Sequence, residues 1–216
     1  HLKVEGEKMS KSLGNFWLAR DVLAKYPCQV VRLFLLSAHY RTPLDFSEAN
    51  VSAVAQGYDE IHRTLERVAR ILDFPAGEGA DADDGAAVLD AARADALARF
   101  EAALDDDLNT AGALGQVYGL ANQVKQLIAG RKITLTKERA EALARAKASM
   151  DDMLGAFGVE AAVQPLDDEA REWIRERDQA RVSKNWAEAD RLRDLLQGRG
   201  WILEDTALGT LASRSE

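Results

Sequence analysis

The sequence is poor in the residues that build disulfides and zinc sites. Its 216 residues include one cysteine, Cys28, and three scattered histidines. An internal disulfide is therefore excluded, and no spacing typical of a zinc site is present. Cys28 lies in an apolar helical stretch, where we expect a buried free thiol. An unpaired thiol favours a reducing compartment, and we expect the cytoplasm.

Long apolar runs are also missing. No stretch approaches the ~20 residues that a membrane helix needs, and residues 1–6 contain no apolar signal-peptide core. These first residues also lack an initiator methionine, so we expect the chain to be cut from a longer protein. With 47% hydrophobic and 30% charged residues, the composition is typical of a soluble globular protein of one or two domains. We expect a monomer without a membrane partner.

The net charge of −8 argues against coating of nucleic acid without regard to sequence. The charge is unevenly distributed, however. Residues 1–45 carry seven Lys/Arg against four Asp/Glu, residues 46–164 carry twelve against twenty, and residues 165–216 carry nine against twelve. The first segment is thus the basic one, and its lysines are clustered.

Four amphipathic helices are predicted between residues 47 and 160. Apolar residues recur three or four positions apart in four stripes, Ser47 is the expected N-cap of the first helix, and Gly158 is expected to end the fourth. One buried face on each helix predicts an antiparallel bundle. The stripes are Val51, Val54, Tyr58, Ile61, Leu65, Val68 and Leu72; Val88, Leu89, Leu97, Phe100 and Leu104; Leu114, Val117, Leu120, Val124 and Leu127; and Ala140, Leu143, Met150, Met153, Leu154 and Phe157.

The last segment, residues 165–216, is predicted to be a separate small α/β module. Asp167 is expected to cap one helix, and a capping box from Asn185 to Glu188 is expected to open a second helix that runs through Leu196. Two short strands, at 201–204 and 208–211, follow around a turn. The fold is therefore predicted to be mainly α, with a loop at 75–84 and a short linker at 163–165.

Near the start, Lys8-Met9-Ser10-Lys11-Ser12 is followed by Leu13-Gly14-Asn15. This is a mobile loop with two ammonium groups and two hydroxyls. Ammonium groups suit a polyphosphate, and lysines that close on a triphosphate stabilise the charge that develops as pyrophosphate leaves. For two lysines at this spacing alone, a solvated basic loop is the alternative.

This pentamer, together with the Leu-Gly-Asn after it, is the signature of class I aminoacyl-tRNA synthetases, and the chain resembles cysteine–tRNA ligases along nearly its whole length. The resemblance implies that residues 1–46 are the end of a catalytic domain, with the signature loop and a stem-contact segment. It further implies a DALR-like bundle of the anticodon-side type over residues 47–160 and an anticodon-binding module over residues 165–216. The matching segments are residues 8–16, 20–23, 32–41, 44–47, 105–110, 187–194 and 200–206.

The resemblance also implies an ATP site in the signature loop, formed by Lys8, Met9, Ser10, Lys11 and Ser12. Lys11 would stabilise the transition state of adenylation, and Lys8 would support the same loop. The second ATP motif of the family, and the zinc ligands that grip the substrate thiol, lie in an N-terminal half that is not in this chain. We therefore expect ATP as cofactor, no metal site and no activity of this chain alone.

The expected partner is cysteine-specific tRNA, whose anticodon begins with guanine. A carboxylate suits the donors of a guanine edge, and an aromatic ring stacks on a splayed base. The candidate RNA contacts are Arg181, Trp186, Asp190 and Asp205. Their alternatives remain open: Arg181 as a solvated cation, Trp186 as a cover of the helix hairpin, Asp190 as a surface charge and Asp205 as a turn cap.

Two further features bear on these expectations. The family commonly carries an aromatic and basic tail after Gly209-Thr210, but here Leu211-Ala212-Ser213-Arg214 follows, which puts a tail contact with RNA in doubt. The acidic run 105–107 precedes a predicted helix, where carboxylates favour the N-terminus rather than a metal.

Two other functions are compatible with parts of the sequence. One is a non-catalytic RNA-binding paralogue, but such a module has no need of Lys8 and Lys11. The other is a part of the related ligase that joins cysteine to an amino-sugar inositol, which shares the signature loop. The module at 165–216 argues against it.

Overall fold

The computed structural model describes residues 2–4, 6–10, 12, 14–77, 84–129, 134–161 and 163–214. Over these residues the protein is mainly α, as predicted, with eight helices and five short strands. No helix in this part of the chain is both long and apolar enough to span a membrane. The elements are β1 (Leu2–Val4), β2 (Glu7–Lys8), α1 (Ala19–Lys25), α2 (Cys28–Leu36), β3 (Leu44–Phe46), α3 (Glu48–Leu72), α4 (Asp84–Asp105), α5 (Thr110–Leu127), α6 (Lys137–Ala156), α7 (Asp168–Val182), α8 (Trp186–Gly198), β4 (Trp201–Asp205) and β5 (Thr210–Arg214).

The N-terminal elements form a small unit around a three-stranded sheet that the sequence did not predict. β1 pairs antiparallel with β2 and parallel with β3, which gives the strand order β2-β1-β3. The Phe34 and Phe46 rings pack edge to face, with 5.2 Å between their centroids, and the centroids of the Trp17 and Phe46 rings lie 5.4 Å apart. Val51, at the start of α3, belongs to the same buried cluster. The cluster therefore fastens the strands to the first helix of the bundle.

The four predicted bundle helices are present as α3 to α6. α4 packs against α5 and α6, and α3 contacts the same two helices. The Ser47 side chain caps α3 as predicted, by accepting a hydrogen bond from the Asn50 amide. Gly158 follows the last turn of α6 in a left-handed conformation, with φ of 63°, which confirms it as the stop. The core between the helices includes Ile61, Leu65, Leu120, Leu143 and Met150, all essentially inaccessible.

Two residues are more exposed than the sequence predicted. The prediction of a buried thiol at Cys28 is wrong, because this residue is exposed in the first turn of α2, directly after Pro27. The buried positions of that helix begin at Val30. Val88 is 61% exposed although it was expected in the second apolar stripe, because its neighbour Leu89 occupies the buried position of α4.

The C-terminal module has the predicted order of two helices and a strand pair. Asp167 caps α7 as predicted, through a 2.7 Å bond from the Ala170 amide. Asn185 caps α8, but only half of the predicted capping box forms, because the Glu188 side chain pairs with Arg191 instead of turning back. α8 also runs two residues further than predicted, to Gly198.

β4 and β5 form an antiparallel pair in which Asp205 faces Thr210. The second strand begins at Thr210 and not at the predicted residue 208, because residues 206–209 form the connecting turn. The Thr206 hydroxyl donates to the Gly209 carbonyl at 2.8 Å and accepts from the Leu208 amide at 3.2 Å. Trp201 lies at the centre of the small core between this hairpin and the two helices.

Two arginines of α3 join the bundle to the C-terminal module. Arg70 is buried and donates to the carbonyls of Ala212, at 3.0 Å, and Gln164, at 2.6 Å. One turn earlier, Arg67 forms an ion pair with Glu204 of β4. The predicted linker at 163–165 is therefore held against the bundle through its backbone, and Val163 packs on the bundle core.

Arg32 of α2 joins the N-terminal unit to the end of α6. Its Nη1 donates to the Phe157 carbonyl at 3.3 Å. A guanidinium suits this position because the last carbonyls of a helix lack intrahelical donors. Gly158 permits the approach, since a Cβ at this residue would collide with Arg32 Nη1.

We expect the Gly158→Ala variant to lose about 1 kcal/mol or more of unfolding free energy. A φ of 63° disfavours any side chain, and the added methyl group displaces Arg32. Urea unfolding followed by circular dichroism measures the change. Gly155→Ala is the matched control, because Gly155 lies within α6 with open space around it, and it should gain up to about 1 kcal/mol. Equal stability of Gly158→Ala and the parent chain contradicts this account.

Candidate functional site

The signature loop leaves the sheet at the end of β2 and is closed by one amide side chain. Asn15 Oδ1 accepts from the Ser10 amide at 2.8 Å, and Asn15 Nδ2 donates to the Lys8 carbonyl at 3.2 Å. The hydroxyls of Ser10 and Ser12 lie 2.7 Å apart. The structure thus brings Lys8, Met9, Ser10 and Ser12 into one short loop, whereas Lys11 lies outside the described residues.

The loop is attached to the rest of the N-terminal unit through β1 and β3. Asp45 of β3 accepts a hydrogen bond from the Gly6 amide at 2.9 Å, which fixes the turn before β2. Lys3 faces Lys8 directly across the antiparallel pair β1–β2, and both are exposed. Like charges directly opposite one another repel, so this edge suits an anion. The sequence analysis missed Lys3, since only the strand register places it beside Lys8.

Arg181 and Asp205, two of the candidate RNA contacts, form an ion pair with each other. Asp205 also accepts from Arg177, through Nη1 to Oδ1 at 2.7 Å and Nη2 to Oδ2 at 3.3 Å. These hydrogen bonds are the main reason that the pKa of Asp205 is lowered; partial burial opposes the shift, and the charges of both arginines add to it. The turn after β4 is capped by Thr206 rather than by Asp205.

Trp186 and Asp190, the other two candidates, share one face of α8 because they lie four residues apart. Trp186 is 60% exposed at the first helical position, so it does not serve as a buried cover of the hairpin. Asp190 is exposed and pairs with Arg193 at 3.0 Å. An exposed indole with a carboxylate one turn away has the chemistry to stack on a base and to accept a hydrogen bond from its edge.

Arg177 is the residue of this region that the sequence analysis missed. It precedes Arg181 by one helical turn, and its side chain is almost fully buried. The spacing of four residues was a signal that both arginines face the same strand. Burial separates their roles, and burial follows only from the packing of α7 against β5.

The acidic run at 105–107 does not serve the N-terminus of α5 as expected. Asn109 is the cap of that helix, and Asp107 adopts a left-handed backbone with φ of 54°. Its carboxylate accepts from the Tyr40 hydroxyl at 2.6 Å and pairs with Arg41 at 3.2 Å. Asp107 therefore links the segment after α2 to the bundle. Within the described part of the chain, no cluster of three His, Cys, Asp or Glu side chains is arranged for a metal.

Two family models match the chain. Residues 1–56 match the model described as tRNA synthetases class I (C) catalytic domain. Residues 99–160 match the DALR domain. The first match contains the signature loop, and the second covers the later helices of the bundle.

Curated relatives extend the similarity over nearly the whole chain. The chain is 37% identical over 215 residues to a cysteine–tRNA ligase of Methylococcus capsulatus and 38% identical over 224 residues to one of Pelotomaculum thermopropionicum. These alignments cover 97% and 96% of this chain, but 43% and 46% of the relatives. The chain thus spans less than half the length of these relatives, in their C-terminal part. The predicted resemblance to the C-terminal part of cysteine–tRNA ligases is confirmed.

Solved structures share the fold at lower identity. The LeuRS of Agrobacterium radiobacter K84, in its ternary complex with tRNA and LeuAMS, superposes with a TM-score of 0.56 at 18% identity, over 78% of this chain and 24% of that one. A protein described as an arginyl-tRNA synthetase from Campylobacter jejuni gives the same TM-score and identity, over 76% and 39% of the two chains. At this identity, the match bears on the fold alone.

Asp205 is expected to stabilise the fold only while it is ionised. Its folded pKa lies below the ordinary aspartate value of 3.8, so its contribution is complete well above pH 3.8 and is lost progressively as the pH falls below 3.8 and through the lowered folded pKa. Asp205→Asn should therefore be less stable than the parent chain at pH 7, and the difference should shrink towards pH 3. Thermal unfolding across this range measures the difference in stability. Asp194→Asn, at an exposed position of α8, is the control. A difference that does not vary with pH contradicts the assignment.

Proposed function

We propose that this chain is the C-terminal, tRNA-binding part of a cysteine–tRNA ligase. The complete enzyme would activate cysteine with ATP and transfer it to its tRNA. The observation that carries the proposal is the similarity to cysteine–tRNA ligases along 97% of the chain, because it includes both the signature loop and the C-terminal module. Since the chain spans less than half of these relatives, activity, substrates and partners belong to the proposal.

In this proposal the signature loop contacts ATP. Lys8 and Lys11 supply ammonium groups, and Met9, Ser10 and Ser12 complete the contact. Ammonium groups near the triphosphate stabilise the negative charge that develops as pyrophosphate leaves the α-phosphorus of ATP and the adenylate forms. Asn15 holds the described part of the loop through Ser10 and Lys8. Lys11 is the residue to which we assign the transition-state contact.

The remaining residues serve tRNA recognition in the proposal. We divide the chain into the end of the catalytic domain (1–46), the bundle (47–160) and the anticodon-binding module (165–216). Three apolar clusters, each centred in a different one of these units, support this division, and Leu33 and Leu211 of the flanking units also join the bundle cluster. Trp186 would stack on an anticodon base, and Asp190 would accept from a base edge. Arg181 on α7 and Asp205 at the end of β4 would make further contacts with the RNA.

We further propose that residues 1–216 alone do not form the adenylate. The second ATP motif and the zinc ligands expected for this family are not among them, and we assign zinc binding to the part of the relatives that the chain does not cover. We further propose that the protein acts in the cytoplasm as a monomer, with cysteine-specific tRNA as its partner.

In the full-length ligase, Lys11→Ala should lower the rate of adenylate formation by about a hundredfold, because it removes a cation that acts mainly on the transition state. ATP–pyrophosphate exchange measures the rate. Filter binding should show almost unchanged affinity for tRNA. Lys25→Ala removes an equal charge outside the loop and is the control. Exchange rates equal to those of the unmodified ligase would refute the assigned role of Lys11.

Asp190→Asn should weaken binding of this chain to cysteine tRNA by roughly fivefold or more, since an amide accepts from a base edge less well than a carboxylate. The loss should disappear when the first anticodon base is replaced. Asp194→Asn is the matched control, because it makes the same charge change one turn further along α8.

Trp186→Ala should weaken binding in the same anticodon-dependent way. Equal losses for matched and altered anticodons would exclude base recognition by these residues.

A further inference from the structure

We propose that Arg177 is a positioning residue for base recognition, which holds Asp205 as an acceptor-only carboxylate so that the facing nucleotide has to present a hydrogen-bond donor, with an exocyclic amino group favoured over the ring N–H of uracil. The inference rests on the proposed function, because it concerns how the same module recognises tRNA. No chemical step is involved.

The geometry of Arg177 differs from that of a surface arginine. Its side chain is 6% exposed, yet both terminal nitrogens reach Asp205, at 2.7 and 3.3 Å. A buried guanidinium is costly unless its donors are paired. Because Arg177 Nε already lacks a partner among the described residues, loss of the contact with Asp205 would leave further buried donors unpaired. The two-donor fork also fixes the plane of the carboxylate, which a single ammonium group cannot do.

A second layer of hydrogen bonds fixes Arg177 itself. Arg177 Nη1 donates to Thr210 Oγ1, and Thr210 is buried at the start of β5. The Thr210 hydroxyl donates to Asp178 Oδ1 at 2.5 Å, and the Thr210 amide donates to both oxygens of Asp178 at 3.1 Å. Because a hydroxyl has one proton, donation to Asp178 leaves the Thr210 lone pairs facing Arg177. The orientation of Asp205 is thus set from the α7–β5 contact.

Asp205 remains accessible from outside. Its side chain is 40% exposed, and Arg181, which lies at the rim, is 32% exposed. Oδ1 accepts from both arginines, whereas Oδ2 accepts only from Arg177 Nη2 among the described residues. A carboxylate oxygen has two acceptor positions, so Oδ2 offers one to a ligand. Arg181 is the exchangeable partner and Arg177 the permanent one.

The protonation state of Asp205 determines which hydrogen-bonding group the facing base has to present. An aspartate of ordinary pKa is already ionised at neutral pH, and Arg177 lowers the pKa of Asp205 further, so the carboxylate cannot donate to a carbonyl oxygen. The amino groups of adenine, cytosine and guanine are donors, whereas uracil has no exocyclic amino group. The one Watson–Crick-edge donor of uracil, N3–H, lies between two carbonyl oxygens that a carboxylate repels, so a uridine at the facing position is disfavoured relative to an amino-bearing base.

The test uses the 216-residue chain and four transcripts: cysteine tRNA, and three derivatives in which one anticodon base is replaced by uridine. Binding affinities are compared for the parent chain, Asp205→Ala and Arg177→Gln. Arg175→Gln is the matched control, since Arg175 is an exposed cation on the same helix. Thermal unfolding of each variant separates loss of stability from loss of recognition.

The parent chain should reject uridine at one anticodon position by roughly 5- to 150-fold. Asp205→Ala and Arg177→Gln should both lose this discrimination at that position and keep it elsewhere. Arg177→Lys should lose most of it, because charge without the fork does not fix the carboxylate. Arg175→Gln should keep the discrimination, with at most a uniform, salt-sensitive weakening. Thr210→Val, which removes one hydroxyl, gives a milder loss and serves if Arg177→Gln fails to fold.

Three different results would contradict the positioning role of Arg177. If Arg177→Gln weakens all four tRNAs by one factor while Asp205→Ala loses discrimination, Arg177 is only structural and the inference is overturned. If Asp205→Ala keeps full discrimination, Arg177 has no base-reading group to position, which also overturns it. If the parent chain binds all four tRNAs equally, the proposed anticodon recognition fails first, and the inference fails with it.

Discussion

The 25 residues of α3 have to satisfy three different neighbours along one continuous helix. Val51, in its first turn, completes the apolar cluster of the N-terminal unit. Ile61 and Leu65, in the middle, lie in the bundle core. Arg67 and Arg70, near the end, hold the C-terminal module through Glu204 and two backbone carbonyls. Loss of Arg70 would leave these carbonyls without their donor in a buried place, which is costly.

This arrangement gives the proposed function a physical basis. The signature loop is anchored in the sheet of the N-terminal unit, and the candidate RNA contacts lie in the C-terminal module. The N-terminal unit packs its apolar cluster against the first turn of α3. The C-terminal module is held near the other end of α3 by the buried hydrogen bonds of Arg70. In the proposed ligase, one continuous helix therefore connects the unit of the ATP-contacting loop with the module that contacts the anticodon. Asp107 and Arg32 add polar links between the first unit and the bundle.

Features that depend on residues close in sequence were predictable. The caps at Ser47 and Asp167 arise from a side chain and an amide three residues later, so the sequence alone indicates them. The apolar stripes follow from the helical period, which located all four bundle helices. The order of the C-terminal module followed from its caps, glycines and short apolar runs. The signature loop was recognised as a motif, although its closure by Asn15 was not.

Features that depend on distant residues were not predictable in the same way. β1 pairs in parallel with β3, some forty residues away, and no local pattern indicates such a partner. Arg177 and Arg181 look alike in the sequence, and only packing against β5 buries one and leaves the other at the rim. Asp107 was misjudged because its partners, Tyr40 and Arg41, lie on another unit. The exposure of Cys28 depends on which face of α2 meets the core.

In the proposed function, this chain recognises tRNA by its bases. The most direct test of this recognition is a competition experiment in which labelled cysteine tRNA, bound to the purified chain, is displaced by unlabelled cysteine tRNA or by the same tRNA with its first anticodon base changed, at low and at physiological salt. The account predicts that the altered tRNA competes less well and that the difference survives the higher salt. Equal competition, with binding that is lost as salt rises, would mean that only phosphate contacts are made, and would contradict the claim.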